Sequence, residues 1–324
     1  MATNEFDLIA RYFAHQAVNR KDVALAIGDD CAVLEVPVGS QLAVSTDSLV
    51  AGTHFLAEAD PVRVAHKALA SNLSDLAAMG ATPAWVSLAL TMPEPDEVWL
   101  AGFCQGFFAL AEYYNVQLIG GDTTKGPLSL TLTVHGFVPH GKALTRSGAQ
   151  SGDWIYVTGT LGDSAAGLAL ILGQTTVDDP QLADVLVERH YCAQPRILAG
   201  QALRGIASAA LDISDGLVSD LGHILKRSGV AAVLNVETLP LSEELRRFAP
   251  DADTACQLAL TSGEEYELCF TVPEGNRGAL ETALAHCGVK ATCVGQLRPG
   301  AGVTLLKAGK AVDWQLQGYD HFAE

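Results

Sequence analysis

Along the first half of the chain, apolar residues fall into two alternating kinds of text: short runs of strand length and longer stretches with helical spacing. Val23–Ile27, Ala32–Val36 and Gln41–Ser45 read as strands. Asp60-Pro61 opens a helix, with Asp as N-cap and Pro at the first helical position, and that helix runs to Met79 before Gly80 stops it. Thr82–Met92 reads as a strand, Pro95–Asn115 has the length and apolar spacing of a helix, and Val116–Ile119 and Ser129–Val138 read as strands. Ahead of them, Phe6, Ile9, Ala10 and Phe13 share one face of an amphipathic N-terminal helix.

The stretch from Pro139 to Gly152 is rich in turn residues and marks a boundary between two domains, 1–139 and 148–324. Beyond it, Trp154–Thr158 reads as a strand, and Ala165–Leu172, Asp184–His190 and Pro195–Arg204 as helices. Ala209–Ile213 is strand-like and leads into a helix from Gly216 to Lys226. Val230–Val236, Glu267–Val272 and Lys290–Val294 are further strands, with Asn276–His286 a helix between the last two. This order of elements predicts an α/β (α+β) protein of two domains with mixed sheets.

Hydrophobic residues make up 49% of the 324 positions and charged residues 18%, enough to pack cores and to exclude a disordered chain. Lys and Arg number 20 against 37 Asp and Glu, a formal net charge of −17. A chain this acidic repels a phosphate backbone, so nucleic acid is not expected as a partner, while a phosphorylated ligand needs cations to mediate its contact. No apolar run reaches the roughly 18 residues that span a bilayer, and the N-terminus carries Glu5 and Asp7 without a signal-peptide core, so no membrane association is expected. The seven cysteines are scattered, odd in number and form no CxxC, which points to reduced thiols in a cytoplasm rather than to a disulfide or zinc framework.

The placement of the acids changes the picture. Asp normally sits in solvated loops, yet here it abuts apolar or small-residue text in five segments: Ala26-Ile27-Gly28-Asp29-Asp30, Val44-Ser45-Thr46-Asp47, Asp75 within the helical run Ala68–Met79, Leu118-Ile119-Gly120-Gly121-Asp122, and Leu211-Asp212-Ile213-Ser214-Asp215-Gly216. Singly, each reads as a turn former or helix cap, Asp215-Gly216 above all. Together, with few basic residues nearby, they read as a shared site for divalent cations, since an ionised carboxylate near a core is costly unless paired or metal-bound. Mg²⁺ suits such a set, taking oxygen ligands from a few carboxylates, water and substrate phosphates.

Phosphate-binding text is weaker. Gly136–Ala143 resembles a P-loop but lacks the Ser or Thr for Mg²⁺, carries Pro139 where a free amide is needed, and opens no helix. Gly159-Thr160-Leu161-Gly162-Asp163-Ser164 joins a strand to a helix and reads either as an anion nest or as a tight turn. Arg146 stands in flexible text where a guanidinium could clamp a phosphate.

These strings, taken in order with Ser45–Phe55, Asn72–Gly80, Gly120–Thr124, Gly263–Leu268 and Gly318–Phe322, resemble the thiamine-monophosphate kinase family over nearly the whole chain. That family lies within the ATP-binding superfamily of aminoimidazole ribonucleotide synthetase and selenophosphate synthetase. The resemblance implies an N-terminal α/β domain whose sheet pairs across a homodimer, a C-terminal α/β domain and an active site in a cleft between them. It implies ATP and thiamine phosphate as substrates, ADP and thiamine diphosphate as products, and several Mg²⁺ ions. By position, it assigns Asp30, Ser45, Thr46, Asp47, Asp75, Asp122, Asp212 and Asp215 to the metal site. Gly121, Asp122, Arg146 and Ser214 are implied as nucleotide contacts, and His54, Glu264 and Tyr319 as contacts to thiamine phosphate. Two departures stand out: Ser262-Gly263-Glu264-Glu265-Tyr266-Glu267-Leu268 replaces the frequent Gly-Gly-Glu-Asp-Tyr-Glu-Leu, and Tyr319 replaces a frequent Trp while keeping a flat ring for a cationic heterocycle.

A phosphate monoester brings its own nucleophile, largely ionised at neutral pH with a second pKa near ~6, so no protein base is needed, and no convincing His–Asp or Ser–His pairing is present in the sequence. The barrier is charge repulsion, which metal-assisted, in-line transfer relieves. Apart from the resemblance, His54 reads as a loop residue, Glu264 as a solvated turn residue and Tyr319 as an anchor for the tail. Two rival readings are a selenophosphate or aminoimidazole ribonucleotide synthetase and a non-catalytic sensor of nucleotide or thiamine phosphates; the lack of a near-N-terminal Cys–Lys pair, with Cys31 expected to pack, argues against the selenophosphate synthetase.

Overall fold

The computed structural model describes residues 5–316, with side chains from Asp7 onward. Two compact units divide it: residues up to Leu76 together with Ala81–Gly141, and Ala77–Gly80 together with the chain from Lys142 on.

The first unit opens with a short helix, α1 (Glu5–Leu8), a π-helical turn at Ile9–Phe13, and a two-stranded ribbon of β1 (Val23–Leu25) and β2 (Val33–Leu34). The expected N-terminal helix therefore changes pitch after Leu8. Leu8 and Phe13 are buried and Ala10 is exposed, while Phe6 lies outside the described side chains. The main sheet follows, from β3 (Ser40–Val50), β4 (Thr82–Met92), β5 (Gln117–Lys125) and β6 (Ser129–Pro139), with α2 (Pro61–Ala78) and α3 (Glu97–Tyr113) between strands. Its order is β3-β6-β4-β5, β4 running antiparallel to β6 and parallel to β5. The helix expected from Pro95 starts two residues later, because the Asp96 carboxylate accepts hydrogen bonds from the Val98 and Trp99 amides as its N-cap.

On α2, buried Val64, Ala65, Ala68, Leu69, Leu73 and Leu76 recur at helical spacing. The Asp47 amide donates to the Asn72 side chain on that helix. Strand alternation then sorts β3: Ser45, Asp47 and Leu49 turn toward α2, whereas Leu42, Val44, Thr46, Ser48 and Val50 are exposed on the opposite face. Both β3 and β5 run longer than their apolar text predicts, because ladder pairing with β6 and β4 carries polar and acidic residues into the sheet. At Gly121, facing Leu88, a Cβ would lie 1.8 Å from the Leu88 carbonyl oxygen, so this close strand contact requires glycine.

The second unit contains β7 (Trp154–Thr158), α4 (Asp163–Ile171), α5 (Pro180–Tyr191), α6 (Ile197–Ala202), β8 (Ala209–Asp212), α7 (Leu217–Ser228) and β9 (Ala231–Asn235). It continues with α8 (Glu243–Phe248), α9 (Ala252–Thr261), β10 (Leu268–Val272), α10 (Arg277–Leu284), β11 (Ala291–Arg298), β12 (Val303–Lys307) and β13 (Lys310–Val312). The seven-stranded sheet has the order β13-β12-β9-β11-β7-β10-β8 and is antiparallel except for β12 beside β9. Leu217, Leu221 and Ile224 of α7 and Ala259 and Leu260 of α9 join Ile155, Val157, Leu211 and Val294 of the sheet in one core. A smaller cluster of Ala166, Leu182, Leu186 and Leu245 packs α4, α5 and α8 together.

All seven cysteines are free thiols, and Cys104, Cys256 and Cys269 are buried. Cys31, expected to pack, is instead exposed, because its turn between β1 and β2 lies at the surface. Among the described residues, no helix is long and apolar enough to cross a membrane.

Candidate active site

In the first unit, a cavity of about 630 Å³ is lined by the Gly28–Cys31 turn and by Gly120, Gly121 and Asp122 of β5. It therefore brings together Asp30, Gly121 and Asp122, three of the residues singled out in the sequence. Asp47 and Asp75 form a second group outside that lining. The Ser45 hydroxyl donates to the Asp75 carboxylate at 2.5 Å. Burial, reinforced by the Asp75 charge, pushes Asp47 up from 3.8 to about 6. Thr46 departs from the expected role, because its side chain lies on the other sheet face, 2.9 Å from the Thr133 hydroxyl. Only its backbone could join Ser45 and Asp47.

His54 lies in the turn after β3. Its Nδ1 accepts the Val50 amide at 3.0 Å, which leaves the proton of the neutral ring on Nε2. Its carbonyl accepts from the ammonium of Lys67, a lysine only 1% exposed on α2. Sequence reasoning passed over Lys67; the signal was a lysine set against the apolar run Ala68-Leu69-Ala70.

In the second unit, Asp212 ends β8 and is buried, with Ser214 and Asp215 half-buried beyond it. The amides of Ser214, Asp215 and Gly216 all donate to one oxygen of Asp220, at 2.9, 2.9 and 3.1 Å. Asp220, absent from the sequence-based set, thus shapes the loop that presents Ser214 and Asp215. Burial pushes its carboxyl up to about 6 despite those three donors. Asp220→Ala leaves the amides without their acceptor and is expected to cost about 2–3 kcal/mol in urea unfolding; Asp220→Asn, which keeps a carbonyl oxygen, should cost less. Arg146 is exposed, and its carbonyl accepts from the Ser228 hydroxyl.

Glu264 follows the same loop, its amide donating to the Ser214 carbonyl at 2.8 Å. Glu264 and Tyr266 both adopt left-handed backbone, φ 58° and 53°, a conformation costing about 1–3 kcal/mol per non-glycine residue and concentrated at functional sites. Between them, Glu265 settles the two readings of the Gly159–Ser164 turn. Its Oε1 accepts from the amides of Gly162 and Ser164 and from the Ser262 hydroxyl, so this nest is filled by the protein's own Glu265 carboxyl group. Enclosure pushes that group up to about 8, with the Asp163 charge adding to the effect. Tyr319 lies outside the described residues.

Among the described residues, no three His, Cys, Asp or Glu side chains converge as a ready-made metal site. The donor set still fits Mg²⁺, which commonly uses one or two carboxylates and completes its shell with substrate phosphate and water. The Asp47–Asp75 pair, acidic, oxygen-only and mutually repelling, is of that kind.

Residues 28–138 match the family described as AIR synthase related protein, N-terminal domain, and residues 150–307 match its C-terminal domain counterpart. Over 324 residues the chain is 57% identical to the thiamine-monophosphate kinase of Escherichia coli K12, covering 100% of this chain and 99% of that one. The chain belongs to the thiamine-monophosphate kinase family. The crystal structure of the family member from Stenotrophomonas maltophilia K279a is 44% identical, with a TM-score of 0.87 over 96% of this chain and 99% of that one. A second family structure, AaThiL complexed with AMPPCP and TMP, is 34% identical, with a TM-score of 0.78 over 92% of each chain. The two-domain AIR synthase-like fold with mixed sheets follows from these matches.

Proposed function

We propose that the chain transfers the γ-phosphoryl group of ATP to thiamine phosphate, releasing ADP and thiamine diphosphate, as a step of thiamine diphosphate biosynthesis. One observation carries this reading: end-to-end identity of 57% with a thiamine-monophosphate kinase, joined to likeness at 34% identity with a structure holding AMPPCP, an ATP analogue, and TMP. The reaction needs no general base, because the phosphate monoester of thiamine phosphate is itself largely ionised at neutral pH.

In this reading Asp30, Asp47, Asp75 and Asp122, with Ser45 and the Thr46 carbonyl, hold Mg²⁺ in the first unit, and Asp212 and Asp215 do so in the second. Mg²⁺, when bound, supplies neutralisation of the charge between the two phosphate groups. Gly121, Asp122, Arg146 and Ser214 contact the nucleotide, while His54, Glu264 and Tyr319 contact thiamine phosphate. His54 presents a donor at Nε2 suited to a phosphate oxygen, and Glu264 a carboxylate suited to a cationic ring. The decisive test is incubation with ATP, Mg²⁺ and thiamine phosphate, with mass identification of thiamine diphosphate. A sensor would bind both ligands and release no ADP.

The same reading makes the protein a cytoplasmic homodimer. The outward face of β3 exposes Leu42 and Val44, 43% and 54% accessible, beside hydroxyl pairs Thr46–Thr133 and Ser48–Thr131. Val44→Asp is expected to yield a monomer in light scattering; an unchanged mass would remove this face from the interface.

A further inference from the structure

We infer that His190 is the positioning residue for Glu264, fixing the direction in which that carboxylate meets the cationic ring of thiamine phosphate. The inference rests on the reading of Glu264 as a contact to that ring. The His190 side chain is 2% exposed in the last turn of α5, and its Nε2 lies 3.6 Å from Glu264 Oε2, whose side chain remains 24% exposed. On the ring's other edge, Nδ1 lies 3.0 Å from the Ser164 hydroxyl. A carboxylate only accepts, so the tautomer that suits both neighbours carries its proton on Nε2, facing Glu264 across 3.6 Å, and accepts from Ser164 at Nδ1.

Two packing features hold the ring in place. Helices α4 and α5 meet so closely at Gly167 that a Cβ there would lie 2.2 Å from the Leu186 carbonyl oxygen and 3.1 Å from His190 Cβ. Tyr191 meets the imidazole edge-on at 5.2 Å between centroids. Ser164 is fixed in turn, its amide donating to Glu265. The Glu264 backbone is held by its left-handed φ and its bond to Ser214, and His190 is one of the groups its side chain meets. A carboxylate that must be ordered when substrate arrives binds less tightly than one ordered beforehand.

The test separates the two edges of the ring. Gln places an amide where Nε2 stood, and Asn places one where Nδ1 stood. His190→Asn is expected to raise the KM for thiamine phosphate about tenfold with kcat and the KM for ATP unchanged, while His190→Gln stays within about twofold of wild type. Ser164→Ala, which frees the ring without touching it, should raise the same KM by a smaller factor and serves if the Asn variant fails to fold. In a Glu264→Gln background, His190→Asn should add nothing. Equal losses for Gln and Asn, rescue by Asn alone, an effect on the KM for ATP, or a full Asn effect in the Glu264→Gln background would each overturn the inference. If Glu264→Gln itself leaves the KM for thiamine phosphate unchanged, the assignment of Glu264 fails instead.

Discussion

Asp47→Asn is expected to make the metal-free protein more stable while reducing turnover by about 10²-fold or more. Asp47 sits on the inner face of β3, where burial and the Asp75 charge push its carboxyl up to about 6. The sign of the stability effect follows from linkage. A folded-state value above the ordinary 3.8 means that the native chain holds this proton more tightly than the unfolded chain. Native stability is therefore lost as pH rises from about 4 to about 6, and the loss persists above that window. Asn carries no charge and escapes the penalty. Thermal melts of the metal-free proteins near neutral pH should place the variant above wild type, with the gap closing toward pH ~4. Added Mg²⁺ should raise the midpoint of wild type and leave the variant nearly unmoved, since ligand binding stabilises only the state that holds it. Wild-type turnover at low Mg²⁺ by Asp47→Asn would remove Asp47 from the metal site.

The same strand shows what the sequence made legible and what it did not. Apolar text located β4 and β7 at their observed bounds, Thr82–Met92 and Trp154–Thr158. It ended β3 at Ser45, because the polar residues beyond give no hydrophobic alternation, although pairing with β6 carries the strand to Val50. Only with the strand drawn to its full length does alternation put Thr46 on the face opposite Asp47. The start of α5 was legible and missed: Asp179-Pro180 repeats the cap signal of Asp60-Pro61, and Asp179 does cap the helix. α8 and α9 were missed, although the caps Ser242 and Asp251 mark their starts. The Asp220 acceptor role is local, to amides four to six residues before it, but Glu265 was out of reach for another reason: it accepts from backbone amides about a hundred residues away along the chain. No local pattern encodes that distance, whereas the candidate site acids stood out because each abuts its own apolar segment.

Arg196→Ala is expected to cost the fold about 3–5 kcal/mol, the largest stability loss among these substitutions. Glu267, 6% exposed at the entry to β10, accepts from Arg196 through both carboxylate oxygens, Nε meeting Oε2 at 2.7 Å and a terminal nitrogen meeting Oε1. The Thr158 hydroxyl also donates to Oε2, while accepting the Leu268 amide. Alanine would leave a buried carboxylate with its cation gone, and removal of one partner of a buried pair costs more than the pair is worth intact. The Glu267 carbonyl accepts from Ile213 at 2.8 Å, so the strain falls on the loop of Ser214 and on the left-handed segment that presents Glu264. Glu267→Gln keeps the acceptor for Thr158 and discards the charge. The double variant Arg196→Ala with Glu267→Gln should therefore regain part of the loss in urea unfolding at an unchanged m-value. If the double variant is no more stable than Arg196→Ala alone, the cost lies in lost packing of the arginine stem rather than in an abandoned charge.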